Sequence, residues 1–325
     1  MIVSRRFRTT SESMLTPAAA TVPNMEGLPL DPDRILLTSS GTQAVDLVCR
    51  FLLRPGDVVV VDDPCYFNFR ALLRVHGVAV VGVPYTPTGP DADRFTEVLK
   101  RNSPRLYLTN SALHNPTGAT LSPRKAHAVL AAATAHDVVI VEDDIFAPFE
   151  PDPSPRIATL DGLERVIRIG SFSKSLSASL RCGYIAARAD WIEALTDLQV
   201  ATHFGGPSPF VTEVVHLALG DGGFSRHMNA LRRRLARARH DAIRRLDALG
   251  IAPWTVPRGG FYLWCELPDG RDATTLARAA LAAGVVLAPG DVFSPSRTMK
   301  GYLRFNVSQM PDLRTLEPMT LGNGS

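Results

Sequence analysis

The chain has 325 residues, 45% hydrophobic and 21% charged, ordinary proportions for a globular protein and a length comfortable for two lobes. Its 35 basic residues nearly balance 32 acidic ones, so a net charge of +3 gives no electrostatic case for nucleic acid or an anionic membrane. No run approaches the ~18 apolar residues of a membrane span. The four scattered cysteines lack C-x-x-C or zinc-ligand spacing, which points to free thiols in a reducing cytoplasm and to no metal.

At the N-terminus, Arg5, Arg6 and Arg8 sit among Ser and Thr. No apolar stretch follows them, so residues 1–27 read as a poorly specified segment and not as an export signal. From Arg34 a rhythm begins. Ile35 to Thr38 reads as a buried strand, Ser39 to Thr42 as a polar turn, and Gln43 to Leu53 as a helix by its apolar spacing. Asp57 to Asp63 is a continuous apolar run, the pattern of a strand covered on both faces. Pro64 to His76 reads as loop and helix, Val78 to Val83 and Arg105 to Thr109 as strands, and Ser122 to His136 as a helix capped by Ser122 with Pro123 at its first position. Val138 to Val141 and Val166 to Ile169 are two more strands. This alternation predicts an α/β core with a mostly parallel sheet.

After Arg188 the pattern changes. Helices are expected over Asp190 to Ala201, Glu213 to Leu219 and Arg226 to Leu249, the last with its many arginines on a solvated face. A turn into a strand follows at Pro257 to Leu267, then a helix from Ala273 to Ala283, and short strands at Val285 to Ala288 and Tyr302 to Val307. These make an α+β second lobe.

Parallel sheets bind ligands at the carboxyl ends of their strands. Those ends carry Ser40-Gly41-Thr42, Cys65-Tyr66, His114 to Gly118, Glu142-Asp143-Asp144, and Ser171 with Lys174. Gly41 and Thr42 open a helix, whose free N–H groups attract an anion. Asp143 directly follows an apolar strand, and a buried carboxylate there calls for a cation such as a protonated pyridine nitrogen. Lys174 lies among small and hydroxyl side chains, with Arg181 seven residues on. Hydroxyls and a guanidinium suit a phosphate, and a lysine beside one suggests a Schiff base with pyridoxal phosphate. The rival reading of Ser171-x-x-Lys174 as a penicillin-binding motif needs S-D-N and K-T-G, and neither occurs.

Taken together, H-N-P-T-G (His114 to Gly118), E-D-D (Glu142 to Asp144) and S-F-S-K-x-L-S-x-x-L-R-x-G-Y-I (Ser171 to Ile185) resemble the class I/II aminotransferases. The likeness runs from about Leu28 to about Gln309. Within that superfamily the chain is most similar to the aminotransferase-like domain of MocR-type GntR-family regulators and to 2-aminoadipate and kynurenine aminotransferases. The resemblance implies the fold of the fold-type I pyridoxal-phosphate enzymes. It implies a large cofactor-binding domain over residues 28–205, a smaller α+β domain over 206–325, and a homodimer. It also implies roles. Lys174 would form the Schiff base and shuttle the proton. Asp143 would pair the pyridinium nitrogen, Asn115 the ring 3-oxygen, and Tyr66 would stack on the ring. Gly41, Thr42, Ser171 and Arg181 would form the phosphate cup. Arg304, with Asn115 beside it, would grip the substrate α-carboxylate.

Three departures stand out. Ile145 and Phe146 occupy the positions where the resemblance calls for a tyrosine. The segment before Leu28 lacks the family's arm and Gly-rich stretch. Ala178 replaces a common proline. Two readings follow. One is an aminotransferase moving an amino group from an amino acid to a 2-oxo acid, without membrane or nucleic acid partners. The other is a pyridoxal-phosphate-binding effector domain of a MocR-type regulator with little or no turnover.

Overall fold

In β2 (Val58–Asp63) the valines alternate between two covered faces: Val59 and Val61 enter one hydrophobic core, Val60 the other. The computed structural model describes residues 31–310 apart from positions 204 and 221, so the expectation for residues 1–27 lies outside the described residues. The other strands of the large sheet are β1 (Ile35–Thr38), β3 (Ala79–Thr86), β4 (Gly89–Pro90), β5 (Leu106–Thr109), β6 (Val139–Asp143), β7 (Val166–Ser171) and β8 (Gly183–Ala186). They lie in the order β1-β8-β7-β6-β5-β2-β3-β4. Pairings from β3 through β2, β5 and β6 to β7 are parallel, while β8 runs antiparallel between β7 and β1, and β4 antiparallel along β3. Two successive antiparallel pairings give β1 the same sense as β7. The strands β1, β2, β5, β6 and β7 therefore all end on one edge, the arrangement expected of a fold-type I sheet.

Helices cover both faces. They are α1 (Gly41–Leu52), α2 (Phe67–Val75), α3 (Ala92–Asn102), α4 (Pro123–Ala135), α5 (Ile157–Asp161) and α6 (Ala189–His203). The helix α1 begins at Gly41, earlier than its apolar spacing indicates, because the Ser40 hydroxyl caps the N–H of Gln43. The sequence reading passed over α3, β4 and β8. The helix α3 carried a legible signal: Asp91 caps Asp93 and Arg94, and Phe95 and Leu99, four residues apart, are buried.

A second sheet has the order β10-β11-β9, with β9 (Tyr262–Glu266), β10 (Ala288–Pro289) and β11 (Tyr302–Asn306). The strand expected over Val285 to Ala288 is reduced to Ala288 and Pro289, and Val286 is exposed. The helices of this part of the chain are α7 (Pro209–Gly220), α8 (Gly223–Asp247) and α9 (Ala273–Ala282). One core joins the inner face of the second sheet, through Leu263, Cys265, Leu303 and Phe305, to Val60, Tyr107 and Ile140 of the first. The long helix α8 buries Phe224, Met228, Leu235, Ala242 and Leu246. Its arginine face is not wholly solvated as expected. Arg232 donates to the carbonyl of Pro148 (2.9 Å), Arg239 to that of Gly260 (3.1 Å) and Arg245 to that of Met310 (3.1 Å), so the helix clamps loops of both lobes.

The end of β6 shows strand alternation applied to charge. Glu142 accepts from the N–H groups of Ile157 and Ala158 at the start of α5 (3.0 and 2.9 Å). Asp144 binds Arg156 Nε at 2.7 Å and also Arg168, and Arg156 reaches Glu150 at 2.6 Å. All five side chains are buried. Replacing Arg156 by Met leaves Asp144 and Glu150 without their shared cation, and the expected loss is about 3–5 kcal/mol of unfolding free energy, read from the urea midpoint.

Candidate active site

Of the three acidic residues at the end of β6, Asp144 is paired with arginines and Glu142 accepts two backbone N–H groups, whereas Asp143 has no cation and a single backbone donor among the described residues. Its carboxylate Oδ1 accepts only the N–H of Ile145, at 3.3 Å, and Asn110 Nδ2 holds the Asp143 backbone carbonyl at 2.9 Å. Burial raises the Asp143 carboxyl to about 7, a shift that the Ile145 and Asn110 contacts oppose. A group at this point either carries a proton or waits for a positive charge.

Around it the sheet edge gathers most of the residues singled out in the sequence. Tyr66, at the N-cap position of α2, is near enough to feel Tyr262, Asp143 and Arg304; burial raises its phenol, and Arg304 opposes that. Asn115 is buried in the turn after β5, and its Oδ1 accepts from Arg304 Nη1 at 2.8 Å. Arg304 comes from β11 of the second sheet. Its guanidinium carbon lies 4.1 Å from the Tyr262 ring centroid and 4.7 Å from that of Phe293. Its Nε is buried without a hydrogen-bond partner, and burial lowers its pKa. A planar cation held between two rings, with an unsatisfied donor and no carboxylate paired to it among the described residues, suits a carboxylate.

The remaining residues lie on the adjoining strand ends. A Cβ placed on Gly41 would sit 3.7 Å from Ser171 Cβ and 3.5 Å from Ile145 Cγ2, so Ile145 bridges the first turn of α1 and Asp143. A side chain at Gly183 would meet the Gly41 nitrogen at 3.0 Å, which keeps that position small. Ser171 Oγ donates to the Cys182 carbonyl (3.3 Å) and accepts from Ser173 N–H (3.2 Å). Lys174 lies exposed in the turn after β7. Arg181, exposed and in the left-handed region at φ 49°, directly precedes Cys182. Neither makes a hydrogen bond or ion pair among the described residues. Thr42 is exposed at the start of α1.

Sequence reading missed Tyr262, Asn110 and Phe293. Tyr262 had a findable signal, since strand alternation from Arg304, expected to bind a carboxylate, places it on the same face across the strand pair. Asn110 and Phe293 had none, because their contacts span distant segments. At the positions of the expected tyrosine, Ile145 packs toward Gly41, and Phe146 sets its edge on Phe261 and Tyr262 at 5.5 and 5.6 Å between centroids.

The sequence profile of the family described as aminotransferase class I and II matches residues 10–316. The 2-aminoadipate transaminase of Thermus thermophilus is 30% identical over 293 residues, which are 88% of this chain and 73% of that protein. An uncharacterized HTH-type transcriptional regulator of Escherichia coli, YjiR, is 31% identical over 281 residues, 84% of this chain and 59% of its own. The chain thus spans about three fifths of the length of the regulators it matches. The crystal structure of Pyrococcus horikoshii kynurenine aminotransferase superposes with a TM-score of 0.87 at 25% identity, covering 98% of this chain and 85% of that one.

The Asp143 geometry makes a prediction for the cofactor-free protein. A carboxyl raised from 3.8 to about 7 by folding binds a proton in the native state that the unfolded chain has released. Its effect on stability is therefore absent below pH 4 and becomes increasingly unfavourable as pH rises to 7. The full difference is on the order of 4 kcal/mol. Asp143→Asn should match the parent in urea unfolding at low pH and exceed it in stability at pH 8.

Proposed function

Since the chain belongs to the class I and II aminotransferases, a family that works with pyridoxal phosphate, we propose that it moves an amino group between an amino acid and a 2-oxo acid. The observation that carries this reading is the buried Asp143 carboxylate with no cation of its own. A cofactor ring with a protonated nitrogen completes it. The residues present also fit the other end of the group. The N–H groups of Gly41 and Thr42 at the start of α1, the Ser171 hydroxyl and the Arg181 guanidinium supply donors for a phosphate.

Pyridoxal phosphate, when bound, supplies an electron sink that lets the α-carbon of an amino acid release its proton. The protein's own residues do the rest. Asp143 would keep the ring nitrogen protonated. Tyr66 would cover the ring, and the Asn115 amide N–H groups would be free to donate to the ring oxygen while its Oδ1 holds Arg304. Arg304 would fix the substrate carboxylate, and the Lys174 amine would hold the cofactor and carry the proton. We place the chain in the cytoplasm as a homodimer, with a cofactor-binding domain over 28–205 and a smaller domain over 206–325. Four buried free cysteines support a reducing compartment.

The test is amino-group exchange. Purified protein with added pyridoxal phosphate is offered a panel of amino acids with 2-oxoglutarate or pyruvate, and new amino and 2-oxo acids are followed by NMR. Exchange supports the enzyme. A folded, cofactor-loaded protein that exchanges none of them favours the effector-domain reading that the regulator relatives raise. Charge-assisted hydrogen bonds contribute about 1.5–3 kcal/mol each, so Arg304→Lys, which loses the planar fork, should raise KM for the amino acid by about ten- to a hundredfold.

A further inference from the structure

Beneath the Asn115 turn lies a buried polar cluster that the proposed chemistry does not use. His114 is fully buried. Its ring is stacked on Tyr85, centroids 3.8 Å apart and 14° from coplanar. Its Nδ1 is 2.8 Å from Thr117 Oγ1, at the other side of the same turn. Its Nε2 lies 3.3 Å from Asp62 Oδ2, an electrostatic contact without hydrogen-bond alignment. Asp62 is in turn fixed on β2 by the hydroxyls of Tyr107 (2.5 Å) and Thr109 (2.7 Å) on β5. The Tyr85 hydroxyl donates to the Asn110 carbonyl at 3.3 Å, and Asn110 holds the Asp143 carbonyl.

The backbone of the turn is closed at the same place. His114 N–H donates to Ala119 (2.8 Å), and Gly118 N–H donates to His114 (2.6 Å). Gly118 sits at φ 71°, and a Cβ there would come within 2.6 Å of Pro257 in the segment leading to β9. The turn is wedged between two sheets, and its next residue, Asn115, is the one side chain that fixes Arg304 Nη1 among the described residues.

We propose that His114 is a positioning residue for the carboxylate anchor. Clamped between the Tyr85 ring, Thr117 and the Asp62 carboxylate, it sets the turn that places Asn115, and Asn115 sets the plane of the Arg304 guanidinium. The inference rests on the reading of Arg304 as the substrate-carboxylate site. It makes His114 a determinant of how the enzyme distinguishes an amino acid from a simple amine, although His114 touches neither.

The test uses the pyridoxal-phosphate-loaded protein and two ligands that differ only in the carboxylate: 2-aminoisobutyrate and isopropylamine. Binding is followed through the cofactor's absorption. The variant His114→Phe keeps a ring on Tyr85 and loses both polar contacts, and its thermal melt and cofactor band serve as controls for folding. Losing one fixed partner of a charged hydrogen bond should weaken 2-aminoisobutyrate by about tenfold. Isopropylamine binding should change by less than about twofold, since no carboxylate is involved. Equal weakening of both ligands, or of neither, overturns the proposal.

A second comparison adds Asn115→Ala. If His114 acts through Asn115, the double variant binds 2-aminoisobutyrate no more weakly than Asn115→Ala alone, whereas additive losses contradict the route. A parent protein that does not prefer 2-aminoisobutyrate to isopropylamine refutes the carboxylate anchor itself. That failure belongs to the proposed function, and it is distinct from a parent that discriminates together with a His114→Phe variant that discriminates equally well.

Discussion

One uncompensated buried carboxylate governs this structure. Strand alternation at the end of β6 sends Glu142 and Asp144 toward donors and arginines, while Asp143 stands apart with one backbone N–H and no cation among the described residues. Burying such a group ionised is costly. A fold that retains it must gain something from a ligand that brings the positive charge. The neighbouring strand ends make sense in that light: a helix N-terminus at Gly41, a hydroxyl at Ser171 and the Arg181 guanidinium, unpaired among the described residues, offer donors for an anion.

The second constraint is that the site needs both sheets. The large sheet supplies Asp143, Tyr66 and Asn115, and the small one supplies Arg304 with Tyr262 under its guanidinium. A single 2.8 Å hydrogen bond from Arg304 to Asn115 joins the two sets. The interlobe contacts around it hold that geometry. Arg232 and Arg239 of α8 hold the carbonyls of Pro148 and Gly260, and Ser294 donates to Asp63 at 2.7 Å. The position of Arg304, the proposed carboxylate anchor, is thus set by the packing of the two sheets as much as by the strand that carries it.

How much of this was legible in the sequence depended on whether a signal was local. The run Asp57 to Asp63 announced itself as a doubly covered strand and Val138 to Val141 as a strand, and polar residues after apolar runs marked the strand ends where Asp143 and Asn115 stand. The pattern failed where pairing supplies what periodicity does not. Gly183 to Ala186 stood in the sequence only as the end of a motif, and it becomes a strand between β7 and β1. Val285 to Leu287 has strand composition, yet it lies outside the three-stranded sheet, with Val286 in solvent. The residues that complete the site from afar, Tyr262 beneath Arg304 and Asn110 behind Asp143, depend on register and long-range contact. His114 and Thr117 were visible as parts of one motif, but the clamp on His114 was not, because Asp62 and Tyr85 come from separate segments.

The most direct test falls on Lys174, the lysine proposed to hold the cofactor. The measurement is borohydride reduction of the protein mixed with pyridoxal phosphate, followed by proteolysis and mass mapping of the modified peptide. The account predicts one dominant stable adduct, on Lys174, with Asp143→Asn lowering the yield at limiting cofactor. Labelling spread over surface lysines, or a single adduct elsewhere with Lys174 unmodified, would contradict it.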